Sequence, residues 1–283
     1  MSKSAPARDL INNNSSHRAK PQSMIKKFDR IALVSHNYNK NKKGEPWDYS
    51  AEFDQINTIC DKNGCDTILY ALYTWDQGAA RARRVPYPFK ELKNVNHIIL
   101  ESGNLSINNN SPKFMDDLTV EIWDRADELP SEILQCFSTT SQCTQSRGQY
   151  LLNNLDNRII NNGLVLICGE TNLVSWSKAE NRIQDPLNIN SRLSEMDISL
   201  IFNPVHDYMT WKMWRKRKYL SLGNRTVISV WNEGSRCDSP NGPWMVCHDG
   251  LQRTDVVKEL HVNGGICKSR PDLRIGILDI ADI

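Results

Sequence analysis

The chain has no CxxC pair among its eight cysteines (Cys60, Cys65, Cys136, Cys143, Cys168, Cys237, Cys247 and Cys267), and no two pairs at zinc-ribbon spacing. Free thiols, mostly buried as small hydrophobes, are therefore expected, with no metal site. Nor does any apolar run approach the roughly 20 residues that span a bilayer, so no membrane association is expected. Residues 1–26 are polar, basic and rich in Asn and Ser, without the apolar segment a secretory signal requires. They read as a disordered tail, and the location as cytoplasmic. Charge of neither sign dominates, since the formal net charge is +2, so a nucleic-acid footprint would have to be local. GxGxxG, GxxxxGK[ST] and G-x-S-x-G are all missing, which leaves nucleotide hydrolysis and serine-hydrolase chemistry unsupported. No repeat at solenoid spacing is present.

The 283 residues present are 39% hydrophobic and 24% charged, an ordinary balance for a globular protein with a sizeable core. Arg30–His36 reads as a buried strand, Ser50–Lys62 as a helix with Phe53, Ile56, Ile59 and Cys60 at helical spacing, and Asp66–Trp75 as a second strand. Strand, helix, strand with short joints is a βα repeat, so an α/β fold with a parallel or mixed sheet is expected. Val95–Glu101 reads as a third strand, and Glu121–Phe137 as a helix broken by Pro130. Gly163–Cys168 (GLVLIC) is the clearest strand, preceded by an amphipathic stretch. Ile198–Asn203, Val227–Asn232 and Leu273–Ile280 are further strands, with a helix at about Tyr208–Leu222. Residues 27–283 are expected to form one domain.

Cys168 ends its strand and is followed by Gly169 and Glu170. A residue at the carboxyl end of a strand in an open α/β sheet faces the crevice where ligands bind. A thiol there is a nucleophile if a base or cation lowers its pKa, and otherwise a buried strand terminus. The run GLVLICGE, then ISLIFNPVHDYMTW, WKMWRKRKYLSLGNRT, VISVWNEGS and NGPW resembles the carbon–nitrogen hydrolase (nitrilase-like) superfamily. The resemblance rests on Cys168 with Glu170, Asn203 with Pro204, the Arg215–Arg225 helix, and Asn232 with Gly234. It implies an αββα sandwich, no cofactor, homo-oligomers, and a Glu-Lys-Cys triad acting on an amide or nitrile of a small molecule. Where the family's first Glu ends the second strand, this chain offers Asp76, either a shortened general base or an ordinary loop acid. Lys113 is the last lysine before Cys168 and faintly echoes the family's lysine loop, while Arg147 is a cation nearer in sequence. The resemblance thus assigns Cys168 as nucleophile, Asp76 as base, Lys113 (or Arg147) at the oxyanion, and Glu170 as a nearby acid. A catalytically degenerate member of the fold, binding a small molecule or partner protein, is the alternative.

His206, after the Asn203–Pro204 turn, is either a base for the thiol or a loop histidine beside Asp207. Trp211–Lys218 gathers five basic residues and two tryptophans, a pattern compatible with nucleic acid. The expectation is the plainer one, that Trp211, Trp214 and Leu222 are buried and the charges solvated. The stretch around Cys237, Cys247, His248 and Asp249 reads as a loop region without metal spacing.

Overall fold

A computed structural model describes residues 27–36, 52–72, 87–101, 119–206, 209–232, 242–260 and 273–283. The tail over 1–26, Asp76, Lys113, Cys237 and Cys267 lie outside the described residues. The strands are β1 (Arg30–Ser35), β2 (Thr67–Tyr70), β3 (His97–Glu101), β4 (Thr119–Asp124), β5 (Ser131–Leu134), β6 (Ile159–Ile160), β7 (Gly163–Val165), β8 (Ser175–Ser177) and β9 (Arg182–Gln184). They continue as β10 (Leu200–Pro204), β11 (Thr226–Val230), β12 (Trp244–His248), β13 (Leu251–Gln252), β14 (Lys258–Glu259) and β15 (Arg274–Asp279). Four helices accompany them among the described residues: α1 (Phe53–Lys62), α2 (Gln145–Asn153), α3 (Ile189–Glu195) and α4 (Trp211–Leu220).

One sheet runs β14-β15-β1-β2-β3-β4-β5 and the other β13-β12-β11-β10-β7-β6, while β8 and β9 pair apart. Side chains from both sheets, including Leu33, Leu69, Ile99, Ile133, Val165, Phe202 and Ile228, share one buried cluster, so the sheets pack face to face. On the outer face of the first sheet, Phe53, Ile56 and Cys60 of α1 cover Val34, Ile68 and Ile98. On the outer face of the second, Leu151 of α2, Leu193 of α3 and Leu220 of α4 cover Leu164, Ile201 and Val227. The result is the αββα sandwich. Strands covered on both faces need continuous apolar runs, which RIALVS, TILY and TVISV supply. Among the described residues no helix is long and apolar enough to cross a membrane.

Three expectations are corrected here. Glu121–Phe137 is no broken helix but the antiparallel hairpin β4–β5, with Thr119 opposite Leu134 and Ile122 opposite Ser131. Alternation decides it: Val120 and Ile122 reach the core while Glu121 does not, and Pro130 falls in the turn. Trp244–His248 is a strand rather than part of a loop, paired antiparallel with β11. The basic helix α4 is inverted relative to expectation. Trp211 and Trp214 are 53% and 36% exposed and Leu222 lies on the surface, whereas Lys216 and Arg217 are buried. Outside, the Arg215 guanidinium stacks 4.0 Å from the Trp176 ring centroid and 5.2 Å from that of Trp211.

Candidate active site

β1, β2 and β3 run parallel, as do β7, β10 and β11, so each sheet turns several carboxyl ends the same way. Side chains and backbone lace the two ends together. Ser35 Oγ donates to Trp231 O at 2.7 Å, Leu72 N–H donates to Val205 O at 3.1 Å, and the Asn232 side chain donates to Leu72 O. Asn232 of the Asn-x-Gly pattern therefore clamps the sandwich shut at this end. Cys168 sits at this end too, where Leu166 N–H still bonds to Phe202 O of β10 before the chain breaks into a 3-10 turn over Cys168–Leu173.

Cys168 has φ +31°, in the left-handed region that disfavours an L side chain. Its sulfur packs against both the inter-sheet cluster and the cluster under the helices, and the residue remains partly exposed. The strained conformation is held by its neighbours. A methyl group added at Gly169 would lie 2.0 Å from Ser138 O, so only glycine lets the strap after β5 approach the turn. Glu170 is fully buried. Its Oε2 accepts from Ile167 N–H at 2.8 Å and from Arg158 Nη1 at 2.7 Å, and its Oε1 accepts from Cys136 N–H at 2.8 Å. Burial pushes the Glu170 carboxyl up, while Arg158 and the two backbone N–H groups pull it back. Glu170 thus staples the residue before Cys168 to the strap, out of contact with solvent.

Below the turn lies a second buried network. Arg217 is fully buried, and its donors go to neutral oxygens: Nε to Ser229 Oγ at 3.1 Å, Nη2 to Asn203 Oδ1 at 2.6 Å, and Nη1 to Thr171 Oγ1 at 3.3 Å and Met213 O at 3.1 Å. Thr171 Oγ1 in turn donates to Cys168 O at 3.2 Å, Ser229 Oγ to Asn203 Oδ1 at 3.0 Å, and Asn203 Nδ2 to Leu166 O at 2.6 Å. Burial lowers the Arg217 pKa to about 10, opposed by the thiols of Cys168 and Cys247, so the guanidinium stays charged at neutral pH.

Of the remaining candidates, His206 follows β10 at the same end and is buried. Burial pushes its pKa down to about 3, which leaves a neutral imidazole that is a weak proton acceptor at pH 7. Arg147 is exposed on α2, lining a groove of about 540 Å³ with Leu134, Tyr150 and Asn154. Three groups escaped the sequence reading: Arg217, Glu101 and Gln135. Glu101 ends β3 and is 1% exposed. Gln135 follows β5 and is buried, with neither amide atom hydrogen-bonded among the described residues. A carboxylate ending an apolar strand (HIILE) was the available signal for Glu101; a glutamine beyond a four-residue hairpin strand gave none.

The fold and this end of it define an αββα sandwich carrying a strained cysteine where parallel strands of both sheets terminate. Two of the solved structures similar to the chain illustrate the likeness. One is a double mutant of the amidase from Nesterenkonia sp. AN1 in complex with acrylamide, at 12% identity and TM-score 0.47, over 90% of this chain and 92% of that one. The other is a carbon-nitrogen hydrolase from Helicobacter pylori, at 8% identity and TM-score 0.49, over 90% of each chain. No protein-family model matches the sequence, and no curated protein does. At such low identity, the chemistry has to be argued from this chain's own residues.

Proposed function

We propose that the protein is a thiol-dependent hydrolase of a C–N bond, amide or nitrile, in a small molecule, with Cys168 as nucleophile. The observation that carries this reading is the Cys168 backbone at φ +31°, at the carboxyl end of β7 and locked by Gly169 and Glu170. Strain of that kind costs about 1–3 kcal/mol and persists where the surroundings enforce it, most often at functional sites. With an amide, the Cys168 thiolate adds to the carbonyl carbon. The tetrahedral intermediate expels the amine, which takes up a proton, and leaves a thioester that water cleaves to the acid and the free thiol. Asp76 as base and Lys113 as oxyanion partner remain the assignments that the sequence resemblance suggests.

The experiment is native-state alkylation with iodoacetamide followed by mass mapping of all eight cysteines, together with ammonia release from a panel of primary amides and nitriles. Cys168 should react fastest, and Cys168→Ala should abolish release without unfolding the protein. Fast alkylation with no release from any substrate would favour the alternative, a binding protein built on the same sandwich.

A further inference from the structure

We propose that Arg217 is the positioning residue that makes Cys168 a thiolate: a guanidinium buried beneath the Cys168 turn and held there by Asn203, Ser229 and Thr171. The inference rests on the reading of Cys168 as the reactive thiol, and it assigns that thiol a cation the sequence resemblance does not name.

The argument starts from the cost of the arrangement. A buried guanidinium is ordinarily matched by a carboxylate, because desolvation of an uncompensated charge is expensive. This molecule shows the ordinary solution nearby, where Arg158 meets Glu170 at 2.7 Å. Arg217 is as deeply buried, yet its hydrogen bonds go to a serine, a threonine, an asparagine and a backbone carbonyl. Those oxygens satisfy the donors and hold the fork still, but none cancels the charge. The positive charge is therefore left to act on the next polarisable group.

Two thiols feel it, Cys168 and Cys247. Cys247 is wholly buried in β12. Burial pushes its pKa up to about 12 despite Arg217, so it stays a thiol at neutral pH. Cys168 differs in being partly exposed and in sitting on a turn tied to the guanidinium through Thr171, which donates to its carbonyl. Partial exposure lessens the desolvation that keeps Cys247 a thiol, while the cation beneath favours the anion. Once the base has taken the Cys168 proton, the thiolate is held by a charge that never has to move.

The test is the pH profile of Cys168 alkylation by iodoacetamide in the full-length protein, with Cys143 read in the same digest as an internal control. In the wild type, the inflection should lie below the ordinary thiol value of about 8.5. Arg217→Met should move it up by about one unit and slow alkylation near neutrality about tenfold. Arg217→Lys should retain most of the wild-type profile, because it keeps the charge while losing the forked geometry. Cys143 should be unchanged throughout. An Arg217→Met profile superimposable on the wild type would overturn the proposal. Should Arg217→Met fail to fold, a wild-type inflection at or above the ordinary thiol value would overturn it instead. The outcome is separable from that of the proposed function. A depressed, Arg217-dependent inflection without turnover would sink the hydrolase reading alone; turnover with an Arg217-independent profile would sink this one.

Discussion

The carboxylate of Glu170 and the guanidinium of Arg158 meet at 2.7 Å with side chains 0% and 4% exposed, one turn away from Cys168. The pair works as a buried bolt between the strap after β5 and the turn that presents the thiol, since Arg158 also donates to Leu134 O at 2.6 Å.

Replacing Glu170 with Gln keeps the shape and leaves Arg158 charged and buried with no counter-charge. Breaking such a pair from one side costs about 3–5 kcal/mol, so Glu170→Gln should lower the denaturant midpoint markedly. A midpoint within error of the wild type would show that the carboxylate contributes nothing to the fold.

Gly169→Ala drives a methyl group to 2.0 Å from Ser138 O, a backbone atom with little freedom to yield. Destabilisation above about 4 kcal/mol is expected, in the range reserved for overpacking and forced backbone shifts. If the variant still folds, the turn must have moved, and Cys168 alkylation should slow along with it. Wild-type melting and wild-type alkylation together would contradict the close approach.

Lys216 is buried on the inner side of α4, where its ammonium donates to Asn172, and burial lowers its pKa to about 8 with Arg217 and Lys212 adding to the effect. Below pH 8 the folded protein carries the full penalty of that buried charge. From about pH 8 to the ordinary 10.5, the unfolded chain holds a proton that the folded chain has released, so stability from this group rises with pH. Lys216→Met should therefore be more stable than the wild type near neutrality, with the gap narrowing through this window. Urea unfolding of both proteins across the window checks it, and a constant gap would refute the assignment.

Gln135 carries a buried amide in which neither atom finds a partner among the described residues. Burying such a group unsatisfied costs about 1–3 kcal/mol, and an apolar side chain of the same shape removes that cost. Gln135→Met should therefore raise the melting temperature, whereas a fall would mean that the amide is satisfied in solution by ordered water.

How much of this was legible beforehand differs from segment to segment. GLVLIC followed by Gly-Glu marked the end of β7 and singled out Cys168, because a β-branched and apolar run stopping at a glycine is a local signal. RIALVS, HIILE and LRIGILDI were legible for the same reason. The β4–β5 hairpin was missed: its alternation is short, and the charged residues around Pro130 imitate a broken helix.

The inversion of α4 was beyond local reading. From WKMWRKRK alone, the tryptophans are the residues to bury and the charges the ones to solvate. What reverses this is a set of oxygens from distant strands, Asn203 of β10 and Ser229 of β11, together with Thr171 of the Cys168 turn. They converge on one guanidinium only after the parallel strands are side by side. By itself the sequence determined the buried strands, the α/β class and the position of the thiol, each through patterns a few residues long. Which guanidinium is buried beneath the turn of that thiol, and which acid ties that turn to the strap, was decided only by tertiary structure, because hydrogen bonds between residues distant in the chain leave no periodic trace in it.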